Sequence, residues 1–381
     1  MERIPVYGQQ RVKDLLVSSI RRNRIASAYL FHGLPGVGKD ATAIALAAML
    51  NCASKEFGGC GGCDSCRRLL RGEHLAFRMV MPFPTKPKTM KDEKYIGLRR
   101  DAMLQRLGNP YRDVSVVPEI ASLPGIGIDD IRDIKRELAL KLTGSSHRLI
   151  LISGAHGMNV PASNSLLKLL EEPPAGTTFV LTTSSPDTLL PTLVSRCQRV
   201  MFDALNDREI ADALVKTWSL PQASAQFIAG MAGGSLQRAL DFLEEGFQEK
   251  RDAAAAFLEA CMGGDTIERL NATGRLTDDW DKREILFILQ ILQALIRDWM
   301  QLHLGMPDRV MNRDRMEQLK RWNDGPHRFA VESGLESVQQ AIDLIEKNVY
   351  LPMVIYGLGR DLGKGCSCFN ESAAYVENTG S

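Results

Sequence analysis

Gly33-Leu34-Pro35-Gly36-Val37-Gly38-Lys39-Asp40 decides how this chain is read. It follows an apolar run, Ala28-Tyr29-Leu30-Phe31-His32, with the character of a buried strand, and it opens Ala- and Leu-rich helical text from Lys39 to Asn51. Strand, glycine-rich turn and helix is the context of a phosphate-binding loop. The glycines let backbone N–H groups turn toward phosphate oxygens, and the helix N-terminus favours anions. Gly33, Gly36, Gly38, Lys39 and Asp40 are therefore candidate ATP-binding residues, with Lys39 directed at the β- and γ-phosphates. One position departs from the pattern. A Ser or Thr hydroxyl normally holds Mg²⁺ at the end of such a loop, and here Asp40 brings a carboxylate close to phosphate charge. The expectation is a phosphate-loop fold whose use of ATP and Mg²⁺ is degenerate.

Further strands are expected at Arg148–Ile152, Thr178–Thr182 and Gln198–Phe202. A helix from Ala162 to Glu172 lies between two of them and stops at Pro173-Pro174. Strands alternating with helices imply a parallel α/β sheet. In a working ATPase the strand matching Arg148–Ile152 ends in acidic residues that orient magnesium and water. This chain has Ser153-Gly154-Ala155-His156 there, which supplies no carboxylate, and His156 reads as a solvated or packed loop residue rather than a substitute base. Residues 77–125 show no sustained period. Pro82, Pro84 and Pro87 and the basic text from Lys86 to Arg100 suggest a partly ordered, solvated insertion. Helical text resumes at Ile128, where an aspartate can cap the start. Strand signals vanish after Asp203. Residues 204–245 read as short helices broken at Gly233-Gly234, and 246–360 as long ones. Apolar stripes run through Ile285, Leu286, Ile288, Leu289, Leu292, Leu295, Ile296 and Trp299, and through Val338, Ile342, Leu344 and Ile345. The polar tail 361–381 is expected to be disordered.

Four of the eight cysteines fall close together: Cys52, Cys60, Cys63 and Cys66. Without a secretion signal such spacing indicates metal ligands, and four thiolates with C-x2-C pairs suit structural zinc. The glycines around them let the chain wrap tightly, while Arg67, Arg68 and Arg71 read as a solvated face. Hydrophobic residues make up 44% and charged residues 24%, as in an ordinary globular protein, and the formal net charge of +1 gives no global drive toward nucleic acid. No stretch reads as a membrane span or a leader, so the expected location is cytoplasmic.

Two longer blocks carry a resemblance. Ala162-Ser163-Asn164-Ser165-Leu166-Leu167-Lys168-Leu169-Leu170-Glu171-Glu172-Pro173-Pro174 and Leu189-Leu190-Pro191-Thr192-Leu193-Val194-Ser195-Arg196-Cys197 resemble the text of the bacterial clamp-loader family, as do Gly8-Gln9 and Arg24–Phe31. The likeness covers about residues 5–75 and 126–245 and is weaker beyond. It implies an α/β, AAA+ RecA-like P-loop domain over 1–203, a helical lid over 204–245 and an all-α collar over 246–360. It implies work in a hetero-oligomeric ring with tau/gamma and delta subunits, loading a sliding clamp onto primed DNA held by phosphate contacts. Absence of the acidic box with Ser195-Arg196-Cys197 retained resembles the delta-prime type. Arg196 would then be an arginine finger acting in trans, and the chain would not hydrolyse ATP itself. The lid motif departs at Gln237, where an ATP-sensing arginine is usual, and Ser184 lies near the first sensor position. The alternative is an active tau/gamma-type subunit.

Overall fold

The computed structural model describes residues 3–114, 117–139, 147–244, 246–263, 265–324 and 331–367. The chain divides into two compact units. The first comprises Met1–Trp218 with Met231–Leu240, the second Ser219–Gly230 with Asp241–Ser381.

In the first unit, helix α1 (Gln10–Arg21) precedes strand β1 (Ala28–His32), and the glycine-rich loop leads into α2 (Lys39–Asn51). A short helix α3 (Asp64–Leu70) is followed by β2 (Phe77–Val80), β3 (Phe83–Pro84), α4 (Asp92–Gly108), β4 (Pro124–Gly125) and α5 (Ile128–Leu138). Then come β5 (Arg148–Ile152), α6 (Val160–Glu171), β6 (Thr177–Thr183), α7 (Pro191–Val194) and β7 (Gln198–Met201), with α8 (Asp207–Trp218) closing the run. Five strands form one sheet in the order β2-β5-β6-β1-β7, all pairs parallel. Ala28 lies opposite Phe179, and Leu149 opposite Thr178 and Phe77.

Side chains alternate across a strand, so successive residues enter different cores. Tyr29, Phe31, Leu149, Leu151 and Val180 pack with Val12, Leu16, Ile44 and Ala47 from α1 and α2. Leu30, Ile150, Ile152, Phe179 and Leu181 pack on the other face with Ile131, Ile134, Leu166 and Leu170 from α5 and α6. A sheet covered on both faces needs apolar residues throughout its central strands, and every residue of β5 and β6 is buried. Asn159 caps α6 by accepting from the Ala162 N–H at 2.9 Å, and Pro161 lies in its first turn, where no N–H is required.

Two expectations need correction in this unit. Residues 77–125 contain an edge strand of the main sheet and the 17-residue helix α4. The strand is four residues long and carries Arg78, and α4 buries only Ala102 and Leu107 fully, so neither has a strong apolar period. α4 is held by a small core of Phe83, Ala102, Val114, Val117 and Ile120, while Met79 and Val80 of β2 join the two cores of the main sheet. At α5 the N-cap is Gly127, and Asp130 reaches back to accept its N–H at 2.8 Å, so no aspartate occupies the cap itself.

The second unit is helical: α9 (Gln222–Met231), α10 (Leu236–Glu244), α11 (Phe247–Met262), α12 (Thr266–Asp279), α13 (Lys282–His303), α14 (Met316–Asp324), α15 (Val331–Glu346) and α16 (Leu351–Ser367), α9 and α10 lying across the division between units. Among the described residues one helix, Glu284–His303, is long and apolar enough to cross a membrane, contrary to the sequence expectation. It packs against α11 and α15, and Ile288, Leu292 and Leu295 are fully buried, as in a core helix. In the second stripe Leu344 is exposed while Val338, Ile342 and Ile345 are buried. The last helix runs through Ser367, so helical structure extends past 360 into the expected tail; residues 368–381 lie outside the described residues.

Candidate functional site

The loop between β1 and α2 takes the conformation its glycines allow. Gly36 and Gly38 have φ of 72° and 95°, in the left-handed region. A side chain at Gly36 would collide with Ser235 and Gln237, and one at Gly38 would lie 3.0 Å from the Tyr111 hydroxyl. The segment Ser235–Gln237 and the ring of Tyr111 therefore press directly on the loop. Leu236 N–H donates to the Gly36 carbonyl at 3.2 Å, and the Tyr111 hydroxyl accepts from Tyr7 N–H at 3.0 Å.

Asp40, expected to bring a carboxylate close to phosphate charge, is buried and fully engaged. Arg106 of α4 donates to its Oδ2 from Nε at 3.0 Å and from Nη2 at 2.6 Å. Ser153 donates its hydroxyl to the same oxygen, and Thr182 of β6 donates to Oδ1 at 2.6 Å. Burial acts to raise the carboxyl pKa, but the Arg106 charge and these hydrogen bonds outweigh it and hold the group below its ordinary value. The third nitrogen of Arg106, Nη1, is bound to the Arg112 carbonyl.

Lys39 is likewise turned inward. Its Nζ donates to the Gly33 carbonyl at 2.8 Å and to that of Leu34. Burial, opposed by Asp40 and aided by Arg106, brings its pKa down to about 8. His156 places Nδ1 3.2 Å from the Thr183 hydroxyl, and burial together with Lys39 lowers its pKa. Lys39, Asp40, Arg106, Tyr111, His156 and Gln237 border a cavity of about 270 Å³, and Ser184 also lines it.

Sequence reasoning brought Gly36, Gly38, Lys39, Asp40, Ser153, His156, Ser184 and Gln237 to this place. It missed Arg106, Tyr111 and Thr182. A signal for Arg106 existed: a carboxylate buried beneath a phosphate loop requires a cationic partner.

Arg196 follows α7 and is half-exposed. It donates from Nη1 to the Thr192 carbonyl at 3.0 Å and from Nη2 to Glu171 Oε1 at 2.8 Å. Its neighbour Cys197 is buried with Leu189 and Leu193, and burial pushes that thiol up to about 11.

Cys52, Cys60, Cys63 and Cys66 converge with all four Sγ atoms within 4.8 Å of one another, forming a possible metal site. Cys52 immediately follows α2 and Cys63 caps α3. Backbone N–H groups of Cys60 and Cys63 donate to the sulfurs of Cys52 and Cys60, each at 3.3 Å. Cys52 and Cys63 sulfurs are 3.8 Å apart. Tetrahedral coordination at about 2.3 Å per Zn–S bond places sulfurs about 3.8 Å apart, so the set fits one such ion. Burial acts to raise the Cys52 thiol, but hydrogen bonds from Ser54 and Cys60 bring it to about 6; burial and Cys63 push Cys66 up to about 12.

The model of the family described as "DNA polymerase III, delta subunit" matches residues 8–206. The chain belongs to that family. A relative from Bacillus subtilis (strain 168), DNA polymerase III subunit delta', is 26% identical over 341 residues, covering 88% of this chain and 86% of that protein. The DNA polymerase III subunit tau of the same organism is 26% identical over 246 residues, 63% of this chain but only 37% of tau. Among solved structures, a DNA polymerase III gamma subunit-related protein from Thermotoga maritima superposes with a TM-score of 0.40 at 14% identity, covering 91% of this chain and 99% of that one. The clamp-loader resemblance read from residues 162–174 and 189–197 thus agrees with the family match, and the parallel P-loop sheet with its helical C-terminal part is the AAA+ plan that resemblance implied.

Proposed function

We propose that this chain is the delta-prime-type, non-hydrolysing subunit of a cytoplasmic clamp loader. In this reading it joins tau/gamma and delta subunits, places the sliding clamp on primed DNA, and offers Arg196 to ATP bound by a neighbour. The observation that carries the reading is the occupation of Asp40. Magnesium requires free oxygen ligands, and both carboxylate oxygens of Asp40 already accept hydrogen bonds. The Arg106 guanidinium supplies positive charge against that carboxylate from within the protein. Lys39 gives two hydrogen bonds to carbonyls of its own loop, and Ser153 and Gly154 offer no carboxylate to order an attacking water. The remaining cavity of about 270 Å³ falls below the usual ~300–1,000 Å³ range of ligand pockets.

Arg196 suits the finger role. Its fork is permanently charged and reaches the surface, and a half-exposed pair such as that with Glu171 contributes only ~0–1 kcal/mol, so exchange of the carboxylate for a phosphate costs little. The four cysteines would hold zinc in a structural role, every tetrahedral position being filled by protein.

The test is a reconstituted loader carrying Arg196→Ala. Hydrolysis at the neighbouring site is expected to fall by roughly 10³-fold or more, the scale of arginine-finger loss, while the variant's melting temperature stays unchanged. The purified wild-type chain should show no turnover above a Lys39→Ala background. Turnover that Lys39→Ala abolishes would overturn the proposal and favour an active tau/gamma-type subunit.

A further inference from the structure

A second cavity, of about 510 Å³, lies in the first unit among α3, β2, α4 and α5. Four arginines line it: Arg71 just after α3, Arg78 on β2, and Arg99 and Arg100 on α4. Two are tethered. Arg99 donates to Asp130 at 2.6 Å, and Arg78 lies 3.5 Å from Glu137. Arg78 Nε is nevertheless buried and makes no hydrogen bond. The side chains of Arg71 and Arg100 have no hydrogen bond or ion pair among the described residues. Glu73 and Asp133 are the carboxylates in the lining; with Asp133 paired to Arg136, and Arg78 and Arg99 to Glu137 and Asp130, the charges left without an ion pair among the described residues are Arg71 and Arg100 against Glu73, an excess of one positive charge. The surrounding sequence reinforces it: residues 67–106 hold eleven lysines and arginines against four carboxylates, in a chain whose formal net charge is only +1. This concentration follows the edge strand and α4, the region whose sequence suggested a solvated insertion.

We propose that this cleft binds the phosphate backbone of single-stranded nucleic acid. Guanidinium forks match phosphate oxygens bidentately, and such contacts carry charge and shape without sequence. A recessed groove receives one flexible backbone, whereas a duplex presents a broad rigid surface to it. Ile96, 63% exposed on α4 beside Arg99 and Arg100, gives the groove an apolar border against which sugars and bases can rest. The site is separate from the phosphate loop and does not depend on the finger role of Arg196.

The experiment uses the full chain and a fluorescent oligothymidylate of about 15 nucleotides, within the range of single-strand site sizes, with anisotropy read across a salt series. The Arg71→Glu, Arg100→Glu double variant is expected to bind at least tenfold more weakly. Its slope of log affinity against log salt should be shallower by about 1.4, two lost contacts at roughly 0.7 each for single strands. The Arg71→Lys, Arg100→Lys variant should retain most of the affinity. If the charge reversal alters the thermal melt, the Arg100→Gln single variant replaces it, with a shallower slope still required. Unchanged affinity and slope would overturn the proposal. So would displacement of the oligonucleotide by polyglutamate at matched charge, which marks an acidic-peptide site, or an equal loss in Lys39→Ala, which places the binding at the phosphate loop.

Discussion

The two ends of α2 meet the same charge problem, a concentration of anions, in opposite ways. At its start Asp40 is a buried anion, and at its finish Cys52 joins three further sulfurs. The thirteen-residue helix, about 20 Å long, joins the two. The cysteine cluster gathers four potential anions with no basic side chain in the set, so it calls for a cation from outside. The Asp40 cluster contains its own cation, Arg106, and two hydroxyl donors complete the shell. Both clusters are saturated arrangements around one point. The lesson is that a carboxylate in a phosphate loop need not wait for a ligand: here a side chain of the same chain, Arg106, supplies the counter-charge.

Stripping metal from the cysteine cluster should have the largest effect. Structural zinc contributes about 10–16 kcal/mol of apparent binding free energy in small domains. One zinc per chain is expected by elemental analysis. Chelation or Cys60→Ser should raise hydrogen exchange across residues 52–70 and leave β5 protected. Unaltered exchange would break the comparison at its first end. At the other end, Arg106→Ala strands a buried carboxylate and should cost about 3–5 kcal/mol in denaturant unfolding. Adding Asp40→Ser to Arg106→Ala should recover part of that loss, because the two groups act as one unit. Strict additivity would mean the pair is not coupled.

The smallest effect is in pH dependence. The folded Asp40 carboxyl titrates below its unfolded value near 3.9, so its stabilisation is present above about pH 4 and is lost as pH falls through the folded value. Asp40→Asn should therefore flatten the acid limb of the stability curve, at about 1.4 kcal/mol for each unit of depression. An acid limb identical in the two proteins would separate Asp40 from the charge balance proposed for it.

Much of the central sheet was legible because buried parallel strands are apolar runs, and β1 and β5 fall where Ala28–His32 and Arg148–Ile152 predicted. The phosphate loop and the cysteine cluster were legible because glycine freedom and ligand spacing are local properties. Residues 77–125 were not. β2 is an edge strand interrupted by an arginine, and α4 rests on a few side chains of a satellite core. The Asp40 shell was half-legible: Asp40 and Ser153 were seen as losses, and the contact that makes each useful to the other is tertiary. The C-terminal stripes read from the sequence are mostly buried, but Leu344 is exposed, since periodicity alone does not tell a buried flank from an exposed one.

Arg106 and Asp40 stand 66 positions apart in the chain. Placing a hydroxyl at 40 by itself leaves an orphaned guanidinium in the pocket, and removing the guanidinium by itself leaves an orphaned carboxylate. The salt link thus ties the two positions together: neither can change alone without stranding a buried charge.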